Sequence, residues 1–310
     1  MIAPQQKITR AVLWMSGALL SFCVMAVSIR ALAASLSIVE ILTLRAGVGL
    51  AIIGIILAFR LELRRMIVRR RLGLHALRNT IHFGAQYLWA MSLLLLPLAT
   101  VFALEFTMPA WTMLLAAIFL GERMTASRAG AVILGLAGVF VILRPSVASF
   151  QPAALLVLAA ALGYAAQNIA TKTLTATEST FAIVFWMNVI QFLLGIVFAE
   201  PLFAGRLGLS ELPAIAGLGV AGLFAHYCLS NAFRAGEASL VVPLDFLRIP
   251  LIALVGWWFY AEPLDIIVFA GAGLIVIGIV WNLRSEVRRP LVTSTAAKMA
   301  RTEAARFEAP

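Results

Sequence analysis

The sequence predicts an all-α integral membrane protein with ten transmembrane helices arranged as two inverted five-helix repeats. Hydrophobic residues make up 63% of the 310-residue chain and charged residues only 12%, whereas soluble domains carry about 25% charged residues. The apolar residues form ten runs of the length that a bilayer-spanning helix needs, about 20 residues. The second five runs also repeat features of the first five. The chain therefore has more apolar surface than a soluble core of this size can bury.

The ten candidate spans follow one another with short connections. The first span follows two basic residues and resembles a signal peptide, but it is longer than the usual apolar segment of about 7–15 residues. Cys23 and Cys228 lie within spans without metal-ligand spacing, so we interpret both as small apolar packing residues. The spans cover residues 11–33, 38–59, 77–96, 100–120, 128–144, 152–172, 180–199, 212–233, 239–260 and 264–284.

The distribution of basic residues predicts the orientation. With the N-terminus in the cytoplasm, all but five of the 24 lysines and arginines fall on the cytoplasmic side or in the tail, as the positive-inside rule requires. Both termini are then cytoplasmic, in a bacterial inner membrane. The basic segment 60–75 is interpreted as a solvated loop, with an interfacial amphipathic helix as the alternative. The five exceptions are Arg30, Arg45, Arg144, Arg206 and Arg248.

An internal repeat appears when the chain is shifted by 140 residues. Leu104-Glu105-Phe106 then falls on Leu244-Asp245-Phe246, Glu122 on Glu262, and Gly138 on Gly278. Aligned acidic residues and glycines carry more weight than aligned leucines, which apolar helices share by chance. Two consecutive units of five spans must lie in the membrane with opposite orientations. Such inverted repeats are typical of secondary transporters, in which the two units expose a midplane site to each side in turn.

The motifs of both units resemble a tandem pair of EamA domains of the drug/metabolite transporter superfamily. In the first unit they are Glu40-x4-Arg45, Leu104-Glu105-Phe106-Thr107-Met108-Pro109 and Gly121-Glu122-Arg123. In the second they are Leu244-Asp245-Phe246, Pro250 and Ala261-Glu262-Pro263. The resemblance implies one unit over residues 8–145, a second over 150–285, and a cytoplasmic tail over 286–310.

This resemblance also implies ten helices around a central cavity and the transport of small metabolites. The chain looks most like the amino-acid exporters, including the aromatic amino-acid branch. Other branches carry nucleoside-like, vitamin-like or drug-like solutes. We therefore expect a secondary carrier that exports amino acids by alternating access, with a carrier of another metabolite class as the alternative.

Polar and aromatic side chains within spans are the candidate substrate-binding residues, because an ionisable group in the bilayer is costly unless it is paired or functional. His82, Gln86 and Trp89 recur at helical spacing and share one face of the third span. His226 stands at nearly the matching place of the eighth span. The full predicted set is His82, Gln86, Trp89, Trp111, Tyr164, Asn168, Trp186, His226, Tyr227 and Arg248.

A second group is predicted to serve gating or structure. Glu105 and Asp245 are related by the repeat, and each acts either as a polar group at the cavity or as a packing anchor. Pro109 and Pro250 are expected to kink the fourth and ninth spans. Arg248 lies three residues after Asp245, so it either forms a local ion pair or binds a substrate carboxylate.

Other functions find less support in the sequence. The chain has no HExxH, Walker A or GxSxG motif, and its histidines do not have the spacing of a zinc site. An intramembrane enzyme that uses His82 or His226 with Glu105 is the less favoured alternative, and a membrane scaffold is another. We expect no cofactor, no metal and no nucleic-acid partner. The expected partners are a small solute and membrane lipid. A second copy of the chain is a further candidate partner, since glycines on the fifth and tenth spans suit close helix packing.

Overall fold

The computed structural model describes residues 4–96, 98–143, 152–261 and 266–288. Every regular element in these ranges is helical, and four short 3₁₀ segments accompany twelve α-helices. The α-helices are α1 Pro4–Leu32, α2 Ile38–Phe59, α3 Leu72–Leu95, α4 Leu98–Glu105, α5 Met108–Leu120, α6 Ala126–Leu143, α7 Ala154–Thr175, α8 Thr180–Phe198, α9 Leu212–Ala235, α10 Ala238–Val241, α11 Arg248–Tyr260 and α12 Ile266–Arg288.

Seven segments of the described chain are long and apolar enough to cross a membrane. They contain α1, α2, α7, α8, α9, α10 with α11, and α12. The other three predicted spans fall on α3, on α4 with α5, and on α6; residues 108–120 and 126–142 form shorter apolar helices. The chain is thus an all-helical, multi-pass membrane protein.

The segment between α2 and α3 is shorter than the predicted loop. A 3₁₀ turn covers Leu61–Met66, and α3 begins at Leu72, so His75 and Arg78 belong to the helix. The features predicted at Arg144, Glu262 and Pro263, and those of the tail beyond Arg288, lie outside the described residues.

Two of the predicted spans are not continuous helices. The span predicted over 100–120 is divided, because α4 ends at Glu105 and α5 begins at Met108. The span predicted over 239–260 consists of α10, a 3₁₀ segment Val242–Leu247 and α11. The prediction that prolines kink the helix interiors is therefore wrong. Pro109 and Pro250 lie in the first turns of α5 and α11, where the missing N–H of proline costs no helical hydrogen bond.

The main helix contacts join the early part of the chain to the late part. α1 packs against α9, α2 against α8, α3 against α7, and α6 against α12. The glycines that suggested a dimer face serve the last of these pairs. A Cβ atom on Gly138 would lie 2.6 Å from Cγ1 of Ile275, and one on Gly278 would lie 2.9 Å from Cβ of Leu134. These glycines let α6 and α12 approach closely within one chain.

A polar junction joins α6, α10 and α12 at one end of the molecule, and we call it the Arg128 junction. Arg128 is 2% exposed and contacts Glu286 at 2.9 Å and Glu237 at 2.5 Å. It also donates to Ser239 Oγ at 2.7 Å. Glu122 accepts from the backbone N–H of Ser239 at 2.9 Å, so it satisfies a donor at the start of α10 that has no partner within the helix. The junction comprises Glu122, Arg128, Glu237, Ser239 and Glu286.

Candidate functional site

Buried polar side chains collect between the helices at the two helix breaks, and we call this group the central cluster. Arg45 is 4% exposed, and His82, Glu105, His226 and Asp245 are each 5% exposed. An ionised side chain inside a membrane helix costs roughly 2.5–3.5 kcal/mol on insertion scales, so such a concentration marks a site. The whole cluster comprises Arg45, His82, Gln86, Trp89, Glu105, Tyr164, Gln191, His226, Asp245 and Arg248.

An ion pair with two acceptors connects the helix breaks. Nη2 of Arg248, the first residue of α11, contacts Glu105 at 3.1 Å and Asp245 at 3.0 Å. The contact between Asp245 and Arg248 is the predicted local pair. Trp89 Nε1 donates to the second carboxylate oxygen of Glu105 at 2.7 Å. Among the described atoms, Asp245 Oδ1 and Arg248 Nε are buried without a hydrogen-bond partner, so the pair keeps unused hydrogen-bonding capacity.

Aromatic rings surround the guanidinium of this pair. Phe106 and Phe246 stack with their ring centroids 6.0 Å apart. The guanidinium carbon of Arg248 lies 4.9 Å from the centroid of Phe106 and 5.6 Å from that of Phe22. A cation within about 6 Å of a ring is attracted by its π electrons. Aromatic packing and the ion pair of Arg248 are therefore both present at the helix breaks.

A second set of contacts lies next to the first and centres on Arg45 of α2. Its Nη2 donates to Gln191 Oε1 at 2.6 Å, and Gln191 Nε2 is 2.8 Å from His82 Nδ1. The amide oxygen of Gln86 accepts from both Nη atoms of Arg45 at 3.2 Å in the orientation that satisfies its neighbours; amide orientation is assigned from such networks. Helices α2, α3 and α8 thus meet at one guanidinium.

Two histidine rings lie between these sets of contacts. The centroids of His82 and His226 are 5.3 Å apart, and Tyr164 lies 5.9 Å from His82. Phe22 is 6.2 Å from His226 and also faces Arg248, so it connects the two sets. The Nδ1 atom of His226 is buried without a partner among the described groups. Helices α1, α3, α7 and α9 each supply one of these rings.

The polar face predicted on α3 is longer than the three residues that suggested it. His75, Arg78, His82, Gln86 and Trp89 follow at steps of three or four residues, which places them on one face. At a rise of 1.5 Å per residue they extend over about 21 Å. Each has a polar partner outside α3, so the face carries polar contacts along its whole length. These partners are, in order, Glu178, Thr171, Gln191, Arg45 and Glu105.

Four predicted residues lie apart from the central cluster. Tyr227 is 36% exposed and packs on Trp14 at 5.9 Å. The indole of Trp186 donates to the backbone oxygen of Val68 at 2.9 Å, beside the 61–66 turn. Asn168 is buried, with its Nδ2 atom 3.3 Å from the sulfur of Met108.

The fourth, Trp111, lines a groove of about 320 Å³ with Thr107 and Leu136. Its indole nitrogen is buried without a partner in the described structure. Pro109 and Pro250 have no backbone N–H, so neither can donate a backbone hydrogen bond to the cluster.

Arg45 and Gln191 belong to the cluster but were not predicted as binding residues. Arg45 is a cation in the middle of an apolar run, and this signal was visible in the sequence. Gln191 shows no such signal because glutamine is common at helix contacts in membranes. In the described part of the chain, no group of three or more His, Cys, Asp or Glu side chains could hold a metal ion.

The sequence matches the model of the EamA-like transporter family over residues 9–144 and again over residues 151–284. A riboflavin transporter of Rhizobium johnstonii is 32% identical over 234 residues, which cover 71% of this chain and 76% of the relative. An S-adenosylmethionine uptake transporter of Rickettsia felis is 26% identical over 212 residues, or 68% and 72% of the two chains. A pseudopaline exporter of Pseudomonas aeruginosa is 27% identical over 260 residues, or 83% and 90%.

A solved crystal structure aligns with 88% of this chain and 96% of its own, with a TM-score of 0.74 and 21% identity. This likeness shows a shared fold. The predicted superfamily is confirmed. None of the three relatives is named as an amino-acid exporter, so they do not single out that branch.

Proposed function

We propose, because this chain belongs to the EamA-like transporter family, that it is a secondary carrier working by alternating access in a bacterial inner membrane. Like its relatives, it is a membrane transporter of small metabolites and not an enzyme. The observation that carries the narrower proposal is the central cluster, where two interrupted helices meet at buried charges. Interrupted helices at midplane supply binding groups in many secondary transporters.

An inverted repeat of ten spans is part of the proposal, and the α6–α12 contacts support it. A Cβ on Gly138 would lie against Gly271 and a Cβ on Gly278 against Ala131. Adding 140 turns Gly138 into Gly278, and subtracting 140 turns Gly271 into Ala131. One contact therefore becomes the other when the two halves exchange, as a two-fold axis in the membrane plane requires.

The stacked pair of Phe106 and Phe246 supports the same axis. These residues are equivalent under the 140-residue shift, and they contact each other. A residue can contact its own equivalent only close to the axis. The ion pair of Glu105 with Arg248 lies beside this pair, so the axis passes near the cluster, where both halves contribute to the site.

The Arg128 junction is proposed as the inner closure of the carrier. With both termini in the cytoplasm, the start of α6, the start of α10 and the end of α12 all lie on the inner side. The contacts of Arg128 with Glu237 and Glu286 hold these ends together. Opening to the cytoplasm then requires these contacts to separate, while opening outward does not.

The rings of the cluster favour a solute with a planar ring. Phe22, Trp89, Tyr164 and the two histidines offer aromatic faces or edges around the buried charges. Riboflavin and S-adenosylmethionine, after which two relatives are named, both contain planar heteroaromatic rings. We propose a nucleoside-like or vitamin-like solute of this kind as the first candidate.

Export of amino acids, aromatic ones in particular, is the second candidate. The observation in its favour is that Glu105 and Asp245 face a single arginine, Arg248. The excess carboxylate suits the ammonium group of an amino acid, and the rings suit its aromatic side chain. Membrane lipid and a second copy of the chain are further proposed partners.

Solute flux in proteoliposomes tests the proposal. The panel is riboflavin, S-adenosylmethionine, L-tryptophan and L-phenylalanine, each with and without a pH gradient. We expect saturable flux of at least one solute, with loss of most flux in His82→Ala and Trp89→Ala. Tyr227→Phe is the matched control, because this ring lies outside the cluster.

Three outcomes would count against the proposal. Absence of flux above empty liposomes, with the protein folded, would contradict carriage of these solutes. Chemical change of a solute would point to the enzyme alternative. A loss in Tyr227→Phe equal to that in Trp89→Ala would contradict the location of the site.

A further inference from the structure

Arg45 is a buried cation whose contacts are all with uncharged groups. It lies within α2, 4% exposed, and its partners are Gln191, Gln86 and the sulfur of Met25 at 3.9 Å. A guanidinium in a membrane interior is normally paired with an acidic group or faces a polar cavity. Among the described residues, Arg45 contacts no carboxylate.

Three other arginines of the chain each contact at least one carboxylate. Arg248 contacts two carboxylates, and Arg128 contacts Glu237 and Glu286. Arg206 pairs with Glu40 at the start of α2. Arg45 differs from all three because, within the described ranges, its partners are two amide oxygens and a thioether.

The charges around the cluster do not compensate Arg45. Glu105 and Asp245 both contact Arg248, so neither carboxylate of the cluster is a partner of Arg45. Among the residues that the structure describes, the single positive charge of Arg45 is therefore left to the uncharged groups around it.

The backbone of α9 holds the Arg45 side chain in the centre. A Cβ on Gly222 would lie 2.8 Å from both Cγ and Cδ of Arg45, so only glycine lets the stem pass at this point. His226 follows one turn later on α9, and its buried Nδ1 has no partner in the described structure. An unpaired cation and an unpaired ring nitrogen thus lie on neighbouring helices, and both are more than nine-tenths buried.

We propose that Arg45 binds a carboxylate of the transported solute. A group with a single negative charge suits this place, because one carboxylate neutralises the single charge of Arg45. The planar guanidinium can donate two parallel hydrogen bonds to a carboxylate. The amide NH₂ groups of Gln86 and Gln191 adjoin it as further donors.

This inference rests on the proposed function and narrows its substrate class to carboxylate-bearing solutes. It separates the relatives' solutes by chemistry, because S-adenosylmethionine carries a carboxylate whereas riboflavin carries none. Because Glu105 and Asp245 share the one cation of Arg248, their surplus negative charge remains to receive a positive group of the same solute.

Binding of acid and amide pairs tests the inference directly. The probes are L-tryptophan against L-tryptophanamide, and indole-3-acetate against indole-3-acetamide, which differ only in the carboxylate. Binding is followed by the rise in thermal unfolding temperature of the purified full chain. We expect the acid to bind about tenfold or more tightly than the amide, as a charge-assisted hydrogen-bonded pair provides.

Variants at two arginines test which residue causes the preference for the acid over the amide. Arg45→Gln should bring acid and amide to equal affinity without changing amide binding, and Arg45→Lys should keep part of the preference. Arg78→Gln is the matched control, since it removes an equally buried cation that the inference does not use. The preference should persist in this control.

Several results would overturn the inference. They are equal binding of acid and amide by wild type, no binding of either acid at millimolar concentration, and an acid preference that survives Arg45→Gln. A loss of the preference in Arg78→Gln equal to that in Arg45→Gln would also overturn it. Riboflavin flux tests the proposed function independently of this inference. Saturable riboflavin flux together with equal binding of acid and amide would support the carrier function and contradict the carboxylate site.

Discussion

Two glycines of α12, only two residues apart, are expected to respond in opposite ways to the same substitution. Gly271 faces α6, and a Cβ there would lie 2.5 Å from Cγ1 of Ile142 and 2.6 Å from the backbone oxygen of Gly138. Gly273 has no atom within 4 Å of the position that a Cβ would take. The variants Gly271→Ala and Gly273→Ala therefore differ in packing but share helix, depth and chemistry.

The magnitude follows from two opposing effects. Replacing glycine by alanine in a helix gains about 1 kcal/mol of backbone free energy, and both variants share this gain. Overpacking a close contact costs about 1–3 kcal/mol, and only Gly271→Ala incurs it, because one of the opposing atoms is backbone. We expect the free energy of unfolding of Gly271→Ala to fall about 1–3 kcal/mol below that of Gly273→Ala.

The two native cysteines make this difference measurable. Cys23 is 6% and Cys228 1% exposed, and both are free thiols. A thiol-reactive fluorescent dye therefore reports unfolding on heating without an added label. A lowering of about 2–4 °C in Tm for each kcal/mol is the scale known for soluble chains of moderate size. Equal Tm values for the two variants would refute the close approach of α6 and α12.

Further predictions concern charge. Arg248→Met leaves Glu105 and Asp245 buried without their cation, so we expect a loss of about 3–5 kcal/mol in unfolding free energy. Adding Glu105→Gln and Asp245→Asn to this variant should restore most of the Tm. An unchanged Tm in the Arg248→Met variant would contradict the pairing. Arg128→Gln loosens the Arg128 junction, so a cysteine placed by Ser239→Cys should react faster with a polar thiol reagent; an unchanged rate would contradict the role of the junction in closure.

Helix positions and local pairs were predictable because they depend on short stretches of sequence. The span predicted over 38–59 coincides with α2, since its apolar run and the capping box of Ser37 with Glu40 are both local features. The ion pair of Asp245 with Arg248 follows from their spacing, and the common face of His82 and Trp89 follows from helical periodicity. Each of these inferences uses neighbours within about one to two turns.

The helix breaks were not predictable, because distant contacts stabilise them. The interruption after Glu105 depends on Arg248 and on the stacking of Phe106 with Phe246, 140 residues away. Pro109 indicated that the helix is irregular near this residue. It did not indicate whether the helix bends or ends there, since proline suits both a kink and the first turn of a new helix.

Tyr227 and Trp186 were predicted at the binding site but lie apart from the central cluster, and the local geometry explains both. Tyr227 directly follows His226, and successive residues of an α-helix point about 100° apart. When His226 faces the cluster, Tyr227 must face Trp14. Trp186 bonds to Val68 in an irregular connection, and no sequence periodicity relates these two residues.

The pairing of early helices with late ones also has a consequence for synthesis of the chain. Arg45, Arg78 and Glu105 enter the membrane with the first half, but their partners Gln191, Thr171 and Arg248 belong to the second. Until α7, α8 and α11 leave the ribosome, these charges must face water, lipid headgroups or the insertion machinery. A nascent chain stalled near residue 150 is therefore expected to remain bound to the insertion machinery, and the complete chain to leave it once α11 has been inserted.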